Sequence, residues 1–379
     1  MRAFVVIVAA ACAPAADDTG VDTDPPAPTF VEVDVAGPHG VGVVSLELFD
    51  ETRGTPANGS ILASPRRKLV TEVWFPSTEG AVDAPEPGGE VAAGSFPVVL
   101  MSHGFLSSRL DLAGLAAHLA SHGYVVAAPD FPLSKRTAPG GATVLDVPSQ
   151  PGDLSFVLDA LVAGKGGLSS VVDADRVAAV GLSLGGLTTL LVGLHPEWRD
   201  PRIDVLVPIA PASCYVPRRA FDAPTPPTLV VHGTADRIVD YEANALPLYE
   251  ALDAPRVLAA FAEASHTGFP DATAELFEGT DDPDDVGCGA IGDAPSSGDE
   301  GTLDALVDDP GGVLNATCPL PCEGEAGGGV AMRPLRQVAL LRASVRAFLD
   351  GWLRDDPVGR DFVLRGLALE ADVDVTAQP

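Results

Sequence analysis

Arg176-Val177-Ala178-Ala179-Val180-Gly181-Leu182-Ser183-Leu184-Gly185-Gly186-Leu187-Thr188-Thr189-Leu190-Leu191-Val192-Gly193-Leu194 is the stretch that decides the fold. Arg176–Leu182 is a continuous apolar run, which is how a strand buried on both faces reads. Leu184–Leu194 reads as a buried helix. Between them stands a G-x-S-x-G, Gly181 to Gly185. Such a motif alone is weak, because short Gly-rich patterns arise by composition. Its setting makes it specific. A strand that turns sharply into a helix at a serine holds that serine in a strained backbone with Oγ exposed above the sheet, and the flanking glycines remove the Cβ atoms that would clash.

Working outward, the same alternation repeats on both sides. Strand-like runs are Leu69–Phe75, Pro97–Ser102, Tyr124–Pro129, Ile203–Ile209, Thr228–His232 and Val257–Phe261. Helical stretches are Leu110–Ser121, Gly152–Ala163, Leu184–His195, Tyr241–Leu252 and Arg333–Leu353. Strand–helix repetition implies a mostly parallel central sheet with helices on both faces. Val31–Asp50 reads as an antiparallel edge or hairpin leading into it. Two stretches break the rhythm. Ser77–Gly94, rich in Pro, Gly and acid, reads as a surface loop. Pro270–Gly329 has little regular pattern, three of the cysteines and the run Asp281-Asp282-Pro283-Asp284-Asp285. A structureless insert of this length is unusual in a compact domain, so it reads as an excursion near the functional face.

A serine nucleophile needs a base, an acid and an oxyanion site. In this topology the chain order is serine, acid, histidine, which leaves His195, His232 and His266. His195 lies on the helix that starts at the serine, roughly 17 Å along it, too far to act. His232 closes a strand with only Asp200 and Asp204 before it as candidate acids. His266 follows the last strand at its carboxyl end and is assigned as the base. Asp236, in the turn after Thr228–His232, is the acid, with Asp240 its rival. The oxyanion donors are the backbone N–H of Leu184, next after the nucleophile, and of Phe105 in the loop Met101-Ser102-His103-Gly104-Phe105. His103 is then a brace for that loop.

Hydrophobic residues make up 46% and charged residues 20% of the 379, enough apolar material for a large core. The charge is −30, with lysine only at Lys68, Lys135 and Lys165. So negative a field excludes nucleic acid as a partner and disfavours anionic lipid. Met1-Arg2, the apolar run Ala3–Ala11 and Cys12 follow the plan of an export signal, too short to span a bilayer. Cys12 after small residues resembles a bacterial lipobox, so residues 1–12 are expected to be a signal or lipoprotein peptide with Cys12 as the lipidation site. Residues 13–29 read as a flexible tether and 30–379 as one catalytic domain containing the insert 270–329. Cys214, Cys288, Cys318 and Cys322 allow two disulfides in an exported protein, with three possible connectivities that the sequence does not choose between. Cys318-Pro-Leu-Pro-Cys322 lacks a second pair for zinc, and Asp281–Asp285 lacks the calcium-loop register, so it reads as a solvated acidic loop. Asn315-Ala316-Thr317 matches the glycosylation pattern, against which a bacterial-type leader argues.

These residues together resemble α/β-hydrolase-fold serine esterases of the dienelactone hydrolase and platelet-activating-factor acetylhydrolase-like group, with polyester hydrolases and chlorophyllases. The resemblance is carried in order by Asp50–Gly54, Glu72–Pro76, Phe96–Phe105, His122–Asp130, Gln150–Asp159, the serine elbow and the Asp236 and His266 loops. It implies an α/β-hydrolase fold. It also implies cleavage of small or polymeric carboxylic esters through an acyl-enzyme on Ser183, by a monomer that needs no cofactor or metal. Two departures stand out. Leu182 replaces the His or Trp that many relatives carry, altering the pocket wall, and Pro270–Gly329 lies outside the family core, where a lid is one reading. Ser183 in place of the dienelactone hydrolases' cysteine argues for simple esters. An amidase or peptidase on the same triad, and a non-catalytic surface lipoprotein on a hydrolase fold, are the alternatives.

Overall fold

The computed structural model describes residues 26–293, 311–323 and 329–379. The expectations for residues 1–25, including Cys12, the leader and most of the tether, lie outside the described residues. So do parts of the insert.

One ten-stranded sheet organises the chain, in the order β10-β9-β8-β7-β6-β4-β5-β2-β1-β3. The strands are β1 (Gly40–Asp50), β2 (Arg67–Ser77), β3 (Glu86–Pro87), β4 (Phe96–Ser102), β5 (Val125–Pro129), β6 (Val172–Leu182), β7 (Ile203–Ile209), β8 (Thr228–Gly233), β9 (Arg256–Phe261) and β10 (Val373–Gln378). From β5 through β9 all neighbours run parallel. Strands β1, β2 and β10 join antiparallel at the two sides.

The sequence of β4 explains its central place. All seven residues are buried, because successive side chains point to opposite faces and each face is covered. Val99 and Met101 enter one layer with α2 (Ala113–Ser121) and the long α8 (Pro334–Leu353). Val98 and Leu100 enter the other with α3 (Gln150–Val162), α4 (Leu184–Leu194) and α5 (Tyr241–Ala251). A strand with no solvated face has no reason to alternate, which is why these runs are uninterrupted. This is the expected α/β-hydrolase fold.

Several expectations are corrected. Val31–Asp50, expected as an antiparallel edge or hairpin, opens with a short α1 (Phe30–Val33); β1 then pairs antiparallel with β2 as expected. The chain does not end its regular structure at Leu353: α9 (Pro357–Asp361) and the edge strand β10 follow. The stretch Pro270–Gly329 is not structureless. It contains α6 (Asp271–Phe277) and α7 (Asp284–Gly292). Three glycines in α7 lower its intrinsic propensity, so the helix leaves no periodic signal and depends on tertiary partners. The carboxylate of Asp271 accepts the N–H groups of Gly114 (3.0 Å) and Leu115 (2.6 Å), capping α2 from outside its own sequence. Burial raises its pKa to about 6.

The cysteines pair as Cys214–Cys318 and Cys288–Cys322. The first ties the insert to the loop after β7; the second closes a loop within the insert. Among the described residues, no helix is long and apolar enough to cross a membrane.

Candidate active site

The elbow is built from backbone sterics. Ser183 has φ 60° and ψ −121°, a strained region for a residue with a Cβ. Its N–H donates to the Ile209 carbonyl (2.9 Å), tying the turn to β7. A Cβ on Gly185 would stand 2.2 Å from the Ser102 carbonyl oxygen, so only glycine lets α4 approach β4 this closely. A Cβ on Gly104 would stand 3.2 Å from the Ser183 Cβ, which puts the loop after β4 against the serine.

That loop is held by His103. Its Nε2 accepts from the Phe131 N–H (2.9 Å), so its Nδ1 carries the proton and donates to the Gly104 carbonyl (2.7 Å). Burial pushes the His103 pKa down and keeps the ring neutral. In a trans peptide the C=O and the following N–H point in opposite directions. Anchoring the Gly104 carbonyl therefore also aims the Phe105 N–H. Leu184 is the first residue of α4, where an N–H has no acceptor within its own helix. Leu182 is buried and lines the small cleft beside Gly104 and Arg109.

The candidate acid and base meet directly. His266 Nδ1–H donates to Asp236 Oδ2 at 2.7 Å, both groups being buried. The other carboxylate oxygen accepts the N–H groups of Ile238 (3.0 Å) and Val239 (2.7 Å). Burial alone would raise the Asp236 pKa. The His266 charge and the hydrogen bonds of both imidazoles outweigh it and hold the pKa down to about 2. Burial works against protonated His266, but the Asp236 charge and hydrogen bond prevail and raise its pKa. The rival Asp240 is used elsewhere: it caps α5 by accepting from the Ala243 N–H (2.7 Å). His232, set aside as a base, is a neighbour of Asp236 instead. Its Nε2–H donates to the Val239 carbonyl (2.8 Å) and lies 3.4 Å from Asp236 Oδ2.

Ser183, Asp236 and His266 thus follow β6, β8 and β9 at the same, carboxyl, end of the parallel strands, where open α/β sheets carry their sites. The profile of the PET hydrolase-like family matches residues 76–277, just over half of the chain. The chain belongs to the PET hydrolase-like family. Its sequence relatives include chlorophyllase-1 of Arabidopsis thaliana, 35% identical over 157 residues, which are 39% of this chain and 45% of that one. The bis(hydroxyethyl) terephthalate hydrolase of Streptomyces coelicolor is 29% identical over 160 residues, 42% of this chain and 46% of that one. Cutinase est2 of Thermobifida alba is 26% identical over 163 residues, 42% of this chain and 49% of that one. The chain thus spans about half the length of these relatives. A solved ferulic acid esterase from Streptomyces cinnamoneus shares the fold, with TM-score 0.59 at 22% identity over 86% of this chain and 94% of that one. The PET hydrolase-like match contains all three candidate triad residues and the Phe105 loop. It ends at Phe277, before α7 and before three of the four paired cysteines.

Sequence reasoning missed two supports of this PET hydrolase-like site. Gln337 Nε2, on α8, donates to the Ser265 carbonyl (2.7 Å) beside the base. Asp284, from the acidic run read as solvated, is fully buried and accepts three backbone N–H groups of the acid and base loops. No local pattern marks either residue, because both act through contacts distant in sequence. Among the described residues no cluster of His, Cys, Asp and Glu suits a metal ion.

Proposed function

We propose that the protein is a serine hydrolase of carboxylic esters. Ser183 Oγ attacks the ester carbonyl while His266 Nε2 takes its proton, and the Phe105 and Leu184 N–H groups bind the developing oxyanion. His266 then gives that proton to the departing alcohol, leaving an acyl-enzyme. Water, deprotonated by the same nitrogen, hydrolyses it to the acid and free serine. Asp236 holds the imidazole in the Nδ1–H tautomer and favours the imidazolium. The observation that carries the reading is the 2.7 Å Asp236–His266 hydrogen bond in a chain whose serine sits in a strained strand-to-helix turn.

Small or polymeric esters are the proposed substrates, in keeping with relatives named for chlorophyll, cutin and a terephthalate ester. The apolar Leu182 and Phe105 beside the serine suit an uncharged acyl group. The two disulfides fit an oxidising, extracytoplasmic compartment, and Cys12 is the proposed lipid attachment point, checked by mass spectrometry of the purified protein. Activity is tested with p-nitrophenyl acetate and butyrate, bis(hydroxyethyl) terephthalate and a matched p-nitroanilide. The expected result is turnover of esters well above the anilide. Faster cleavage of the anilide assigns an amidase instead, and equal rates for wild type and Ser183→Ala overturn the triad.

A further inference from the structure

The acidic run Asp281–Asp285 has no place in the proposed chemistry, yet one member of it is a buried carboxylate beside the His266 backbone. The Asp284 side chain is fully buried. Its Oδ2 accepts from the Arg237 N–H (3.0 Å) and the His266 N–H (3.1 Å), and its Oδ1 from the Thr267 N–H (2.7 Å). Arg237 follows the acid directly, and His266 is the base. One carboxylate from α7 therefore bridges the backbones of two loops that leave different strands.

The surroundings hold α7 in that position. The Arg237 guanidinium pairs with Asp282 (2.9 Å) and Asp285 (2.6 Å). The Cys322 N–H donates to the Arg237 carbonyl (2.8 Å), and Cys322 is joined to Cys288 on α7. Burial and the Asp236 charge raise the Asp284 pKa, and the backbone N–H groups of Arg237 and Thr267 oppose that shift; three N–H groups sharing one carboxylate resist separation of the loops. The Asp236–His266 bond needs that separation fixed, since small displacements of a catalytic pair are costly.

We propose that Asp284 is a positioning residue, which clamps the Asp236 and His266 loops in register through their backbone N–H groups; this rests on the triad reading given above. The charged and titratable groups facing His266 are Asp236 from the loop after β8 and Asp284 from α7, with His232 of β8 behind Asp236. Removing the Asp284 charge takes away one of the two anions that favour the imidazolium. The acid limb of the rate profile then moves to lower pH, which loss of packing alone does not do.

The test compares full-length wild type, Asp284→Asn, Asp284→Ala and the exposed-neighbour control Asp281→Asn on p-nitrophenyl butyrate, with thermal melts to verify folding. Asp284→Asn is expected to lower kcat about 10-fold and Asp284→Ala about 100-fold. KM stays within about twofold, and the acid limb of kcat/KM shifts to lower pH in the Asn variant. Asp281→Asn is expected to match wild type. A folded Asp284→Asn with wild-type kcat and pH profile overturns the proposal. If the variants do not fold, amide exchange in the wild type decides: the Arg237, His266 and Thr267 amides are expected to exchange at least ~100-fold slower than open-loop amides, and unprotected exchange contradicts the clamp. A wild type inert to both ester and fluorophosphonate refutes the esterase reading; the amide exchange still tests the clamp.

Discussion

The serine side and the acid–base side of the site are held by different means. Ser183 is fixed by its own neighbourhood: a positive φ, a bond to β7 and the bare backbone of Gly185 against Ser102. Asp236 and His266 sit on two loops whose spacing is set by residues far along the chain, Asp284 from the insert and Gln337 from the last long helix. A site built this way has one half that is intolerant of added volume and another that is sensitive to loss of distant contacts.

Three perturbations sharpen that contrast. The largest effect belongs to Asp236→Asn. The amide can still accept from Ile238 and Val239, but it cannot hold the Nδ1–H tautomer, and kcat is expected to fall by about 10⁴-fold with little change in melting temperature. In the wild type the raised His266 pKa places the acid limb of kcat/KM above histidine's ordinary 6.5, because only the neutral imidazole accepts the serine proton. A limb below 6.5 contradicts the pairing.

Next comes Gly185→Ala. Its methyl would meet backbone oxygen at 2.2 Å with no flexible side chain to yield, so a loss of more than about 3 kcal/mol is expected, read as a drop in the unfolding midpoint. A neutral substitution would show that the elbow is less self-contained than described. The smallest of the three is Cys322→Ser. Opening the Cys288–Cys322 loop, a separation of 34 residues, costs at most about 3.8 kcal/mol on chain-entropy grounds, a bound that disulfide losses often fall short of. Activity is expected to fall by a few-fold through the acid and base loops, while the fluorescence of the sheet core stays unchanged.

The same contrast explains what was legible in the sequence. The elbow, the mostly parallel sheet and the loops that carry the candidate triad residues could be read because buried parallel strands are continuous apolar runs and a strained serine turn demands glycine beside it. His103 was readable as a brace because the oxyanion loop needs one. The pairing of four cysteines was not, since loop length alone does not choose a connectivity. Asp284 was not, because a carboxylate in an acidic, glycine-rich run looks solvated until the N–H groups of Arg237, His266 and Thr267 are brought to it. Strand β10 was also missed: only six residues long with Asp, Thr and Gln among them, it acquires its structure from pairing with β9.

The central claim, an activated nucleophile at Ser183, is tested most directly by labelling the native protein with a fluorophosphonate probe and mapping the adduct by peptide mass spectrometry. The prediction is a single covalent adduct on Ser183 that is absent in Ser183→Ala and strongly slowed in Asp236→Asn. An unlabelled Ser183 in folded wild-type protein, or equal labelling of the wild type and Ser183→Ala, would contradict it.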